Sequence, residues 1–135
     1  MDKAHVAATR QPGSVRGALL VLAFVLCPSL GHAADPWETT DYALAGATLA
    51  ALAVDWGQTR YIAKNTHRFN ETNPMLGATP SVGKVDAYFV GSMLGTVAVA
   101  HVLPSDWRQM FLGGVLALEL GVVSQNRSIG IKMAF

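Results

Sequence analysis

The chain has 135 residues, a length that suits one domain. Half of it is hydrophobic (51%) and only 14% is charged, against about a quarter in soluble domains, so much of its surface is built for something other than water. A net charge of +1, with no basic face carrying interleaved aromatics, excludes a nucleic-acid binder.

Residues 1–16 are polar and basic, with Lys3, Arg10 and Arg16 set against Asp2. Gly17 to Leu26 is an unbroken apolar run, Pro28 breaks it, and Gly31-His32-Ala33 places small residues before Ala34. This is the layout of a secretory signal peptide over residues 1–33. The apolar run is shorter than the roughly 20 residues that span a bilayer. An uncleaved signal anchor is the alternative. The single cysteine, Cys27, rules out an intrachain disulfide or a thiolate metal site. It follows Val25-Leu26 rather than a small residue, which makes a poor lipoprotein site.

Three further apolar segments are predicted to be helices, at about 42–62, 85–103 and 107–125. Each is roughly 28–31 Å long as a helix, close to the hydrocarbon thickness. The fold expected is therefore an all-α membrane protein, a signal sequence followed by a three-helix transmembrane bundle. Thr79-Pro80 or Ser81 starts the second helix, Pro104 stops it, and Ser105-Asp106 caps the third. Trp37, Trp56, Tyr61, Tyr88 and Trp107 mostly fall near span ends, where aromatic belts form.

Charge sets the orientation. Arg60, Lys64, Arg68, Lys84, Arg127 and Lys132 fall on one side of the spans and Arg108 alone on the other, with Asp35, Glu38 and Asp41. The positive-inside rule puts the six in the cytoplasm and the mature N-terminus in the periplasm, which signal cleavage also requires. The expected location is a bacterial inner membrane, crossed several times. A terminal aromatic such as Phe135 is also common in outer-membrane barrels. The residues after the leader are too few, however, for eight strands of about 9–11 residues plus turns.

Small residues recur at helical spacing. Gly91 and Gly95 form a G-x-x-x-G motif in the second segment, and Gly113, Ala117 and Gly121 repeat every four residues in the third. Such rows let helix backbones approach closely, within the chain or between copies. The partners implied are the lipid bilayer and either a second copy or another membrane protein.

Asp55 and Glu119 occupy costly positions, since a carboxylate near a span centre costs on the order of 2.5–3.5 kcal/mol. Both lie seven residues before the cytoplasmic end of their segment, at Ile62 and Asn126, so they stand at matching depth. Gln58 and Thr59 share the face of Asp55, and Asn126 is aligned with Glu119. One reading is a polar cluster for a proton, a cation or a small polar solute. The other is that each acid pairs with a nearby base (Arg60, Arg127 or Lys84) or hydrogen-bonds across helices. In the loop Asn65–Pro80, Asn73-Pro74 favours a turn. His67 and Glu71 are four residues apart but lack the second histidine that a metal site needs. Nothing resembles a nucleophile with its base or a phosphate-binding glycine loop, so no catalytic residue, metal or cofactor is assigned.

The segments D-W-G-Q-T-R (Asp55 to Arg60), E-T-N-P-M-L-G (Glu71 to Gly77) and P-S-V-G-K-V-D-A-Y (Pro80 to Tyr88) together resemble a family of small bacterial multi-span membrane proteins. Their shared pattern is D-x-x-Q-T, then E-x-N-P-x-L-G, then a V-x-x-Y helix start. The resemblance covers about a quarter of the chain. It implies a helical membrane fold and no particular activity, and it raises Asp55, Gln58, Thr59, Glu71, Asn73 and Pro74 as residues of interest. The function expected is that of an accessory or assembly element acting through helix–helix contacts. The alternative is transport or binding of an ion, proton or small polar solute through an Asp55/Glu119 cluster.

Overall fold

The computed structural model describes residues 35–135. The expected leader, residues 1–33 with Cys27, lies outside them. Among the described residues there are three helices and no strands: α1 (Thr39–Lys64), α2 (Val82–Val102) and α3 (Ser105–Ser128). Polar residues continue the helical turns at one or both ends of each apolar segment.

Local chemistry sets the helix ends. Ser81 caps α2, its hydroxyl accepting from the Lys84 N–H at 3.3 Å. Asn65 closes α1, its side-chain amide donating to the Tyr61 carbonyl at 2.8 Å. The Asn126 and Arg127 carbonyls accept from the Ile131 and Gly130 N–H groups, at 3.0 and 3.1 Å, which is the Schellman arrangement and turns the chain out of α3. The start of α3 differs from expectation. Ser105 and Asp106 are already inside the helix, and Pro104 holds the cap position without a side-chain bond. The two-residue corner Leu103-Pro104 leaves no room for a separate cap. Asp35, preceding α1, supplies the acceptor instead, taking the Ser105 N–H at 2.9 Å.

α1 packs against both other helices, and α2 and α3 touch each other least. Leu52 of α1, Leu76 of the loop, and Val85 and Phe89 of α2 form one buried apolar cluster. Ala45, Ala100 and Leu112 form a second at the other end. Between them the Thr48 hydroxyl bonds the Leu44 and Leu112 carbonyls at 2.8 and 3.2 Å. After α3 the tail folds back along α1. Ala134 N–H donates to the Gly57 carbonyl at 2.9 Å, and the Phe135 ring lies edge-on to Trp56 at 6.1 Å. A Cβ at position 57 would sit 2.8 Å from that ring, so any larger residue there would require the ring to shift.

Of the three helices, α2 alone is long and apolar enough to cross a membrane by itself. α1 carries Asp55, Gln58 and Arg60, and α3 carries Arg108, Glu119 and Arg127, which makes both less apolar. The small-residue rows make no close contact within the described residues. A Cβ added at Gly91, Gly95, Gly113 or Gly121 meets nothing within 4 Å, and Ala117 is exposed. These faces point away from the bundle.

Candidate functional site

Asp55 sits four residues before Thr59 and three before Gln58, so all three fall on the inner face of α1. Their exposures are 8%, 3% and 3%, and a carboxylate this enclosed needs partners. Asn126 of α3 provides one. Its side-chain amide donates both to Asp55 Oδ1 and to Gln58 Oε1, each at 3.1 Å. Gln58 in turn donates to the Val123 carbonyl at 3.3 Å. The three side chains bolt α1 to α3. Asp55 Oδ2 takes no part.

The loop Asn65–Pro80 folds on its own polar groups. Glu71 Oε1 accepts from the Thr72 and Asn73 N–H groups, both at 2.8 Å. Asn73 Oδ1 accepts from Met75 N–H at 3.0 Å, and the Asn73 carbonyl from Leu76 and Gly77 N–H. Pro74 suits the first central position of that turn, and Gly77 supplies its positive φ of 77°. The E-x-N-P-x-L-G pattern is thus a self-capped turn. It drives Leu76 into the core and holds Glu71 toward α1. Lys84 fastens it by donating to the Leu76 carbonyl at 2.9 Å. Asp86 of α2 fixes the neighbouring face, accepting from Trp56 Nε1 at 2.8 Å and from Arg60 at 2.9 Å.

These elements enclose a cavity of ≈ 240 Å³. Asp55, Thr59, Glu71, Asn73, Gln125 and Asn126 contribute to its polar lining, with Arg68 the one base among the described residues. Phe69, Phe89, Ile129 and Ile131 are among its apolar walls. Glu119 does not line it. That side chain is close enough to Asp55, as is Glu71, for the carboxylates to act on one another electrostatically. Glu119 Oε2 and Glu71 Oε2 are buried without a hydrogen-bond partner among the described residues. The two acids expected to meet therefore influence each other electrostatically, while the direct hydrogen-bond partner of Asp55 is Asn126. Of the bases considered as partners for the acids, Arg60 is engaged by Asp86 and Lys84 by the loop.

Two features go beyond what the sequence suggests. The first is the contribution of Arg68, Gln125 and the tail to the cavity; the positions of Gly57 and Phe135, far apart in sequence, carry no mark of their contact. The second lies at the opposite end of the bundle. Arg108, fully enclosed, pairs with Asp41 at 2.7 Å. It also donates to the Ala100, Leu103 and Asp35 carbonyls at 3.0, 3.0 and 2.7 Å, and lies 5.1 Å from the Trp37 ring centroid. One base among three acids on that side is the available clue.

Among the described residues no group of three His, Cys, Asp or Glu side chains is arranged to hold a metal ion. His67 is exposed, away from any such set. No protein-family model, curated protein or solved structure matches this chain, so its function is to be argued from the cavity itself.

Proposed function

We propose that this is a small bacterial inner-membrane protein, crossing the bilayer three times, that holds a cation or small polar solute in the cavity between α1, the Asn65–Pro80 loop and α3. The observation that carries the reading is Asp55, a carboxylate only 8% exposed that lines the cavity, with one oxygen bonded to Asn126.

The distribution of polarity supports the membrane setting. Asp41, Thr48, Asp55, Gln58, Thr59 and Arg108 are buried, while Val90, Leu94 and Val102 of α2 and Met110, Leu118 and Leu120 of α3 are 45–68% exposed. Water would favour the reverse arrangement. Only 17% of the apolar stretch of α2 is buried against the rest of the chain, as suits a helix whose solvent is lipid. Polar groups of α1 and α3 face each other, which lets these less apolar helices cross beside it. Charge supports the orientation: Arg108, the single base on the proposed periplasmic side, is neutralised by Asp41. The other six mature bases lie at the cavity end or beyond.

The test has two arms. Reporter fusions at Asn70 and Phe135 should both read as cytoplasmic. The purified full chain in detergent should gain thermal stability from protons, inorganic or organic cations, or small polar solutes. The Asp55→Asn variant, folded to the same helical content, should lose that response. A response identical in wild type and variant, or none in either, removes the cavity as a binding site.

A second reading, assembly through helix contacts, is favoured by the open faces at Gly91 and Gly95. Cross-linking in native membranes tests it, because Gly91→Leu with Gly95→Leu should abolish any adduct formed through that row.

A further inference from the structure

If the cavity binds a ligand as proposed above, its lining restricts what that ligand can be. Two carboxylates line the space, with a third behind Asp55, against one base among the described residues. That base, Arg68, lies 5.2 Å from the Phe69 ring centroid. An anion would meet Asp55 and Glu71 with Arg68 alone to compensate. A bare inorganic ion leaves most of the volume empty, since ≈ 240 Å³ compares with about 30 Å³ per water molecule. A multivalent metal lacks a donor set among the described residues.

Thr59 adds an independent constraint. It lines the cavity at 3% exposure, and its hydroxyl makes no hydrogen bond to any described residue. One turn of α1 away stands Asp55 Oδ2, also unbonded. Thr59 and Asp55 thus offer adjacent acceptors from the same helix face. The apolar part of the lining carries two phenyl rings, Phe69 and Phe89. A charged donor group attached to a short hydrocarbon body satisfies both halves of this lining.

We propose that the cavity binds a primary ammonium group carried on a short apolar body, with the Asp55 carboxylate as counter-ion and the Thr59 hydroxyl as second acceptor. An ammonium has three donors, and Asp55, Thr59 and one further lining oxygen suit that number. Two sources share this chemistry: a soluble alkylamine, and the ethanolamine headgroup of a phospholipid in the adjoining leaflet.

The experiment uses the full chain in detergent, titrated by calorimetry with n-butylammonium, with 1-butanol and sodium as neutral and inorganic controls. Butylammonium should bind saturably and the controls should neither bind nor compete. Asp55→Asn should weaken binding by at least about tenfold, the effect of losing one charge-assisted bond, and the near-isosteric Thr59→Val should weaken it by a smaller factor. Both variants are checked for wild-type helicity by circular dichroism. Nanodiscs of phosphatidylethanolamine against phosphatidylcholine separate the sources. Stabilisation by the first alone, lost in Asp55→Asn, assigns the headgroup, and equal behaviour in both lipids assigns the soluble amine. Butylammonium binding unchanged in Asp55→Asn overturns the proposal. So does binding of sodium or protons through Asp55 with none of the ammonium in either form, although the broader reading of the cavity then survives. Failure of every cation and solute to bind through Asp55 removes both.

Discussion

The two ends of the bundle bury charge in opposite ways. At the α2–α3 corner, every donor of Arg108 is engaged, by Asp41 and by the Ala100, Leu103, Asp35 and Pro36 carbonyls, although Asp41 Oδ1 and Trp37 Nε1 beside it have no hydrogen-bond partner among the described residues. At the cavity end, Asp55 has one oxygen bonded by Asn126 and one unbonded, Glu71 and Glu119 each keep a buried oxygen without a partner, and the acids outnumber the base. A saturated charge holds elements together and offers nothing to a ligand. An unsaturated one costs stability locally and leaves an acceptor open. The first end closes on an ion pair, and the second carries an excess of acid, on which the proposed binding rests.

The largest effect is expected where an ion pair is fully buried. Arg108→Met removes the partner of Asp41 and uncovers the four carbonyls of Asp35, Pro36, Ala100 and Leu103. It should destabilise the protein in detergent by about 3–5 kcal/mol, the range for breaking a buried pair, as read by denaturant unfolding. The acid branch of stability belongs to the same pair. The Asp41 carboxyl lies below the usual aspartate value, first through the Glu38 N–H and then through Arg108, with burial acting the other way. Its stabilising contribution is therefore complete above the unfolded value of about 3.9 and is lost as pH falls through the lower folded value. The stability difference between wild type and Asp41→Asn should stay constant from neutral pH down to about 4 and shrink only below it. A difference that already shrinks near pH ~6 would mean that another group controls the corner.

Asp55→Asn should behave in the contrary sense. The substituted side chain keeps an oxygen for the Asn126 amide and no longer repels Glu71 and Glu119. Stability should fall by less than about 1 kcal/mol, or rise. A loss as large as that of Arg108→Met would make Asp55 a structural bolt and erase the distinction between the ends.

Three helices, their order and their approximate limits were legible because apolar runs, Ser81, Pro104 and the Asn73-Pro74 turn act locally. The nearness of Asp55 and Glu119 was legible from depth alone. The shared face of Asp55, Gln58 and Thr59 was legible too, and what escaped was the rotation of one helix relative to another and the long-range return of the chain. Depth cannot say that Asn126, two turns beyond Glu119, faces Asp55 instead. No local pattern announces that Gly57 is small to admit Phe135, or that Asp35 caps a helix seventy residues later. In sequence Arg108 is a charge that orients the chain, whereas its fate is decided by Asp41 and four carbonyls brought together around it.

The smallest effect is expected at Gly91 and Gly95, and it separates packing within the bundle from packing outside it. Leucine at either position enters open space, since a Cβ there has no neighbour within 4 Å. Unfolding of the monomer in detergent should therefore move by no more than about 0.5 kcal/mol, with a slight gain from replacing glycine inside a helix. In a bilayer the same variant leaves the Asp55 cavity untouched, because neither glycine lines it. If it nevertheless lowers ligand affinity, the cavity is completed by a second molecule seated on that row, and the open end of the bundle is only half of the site.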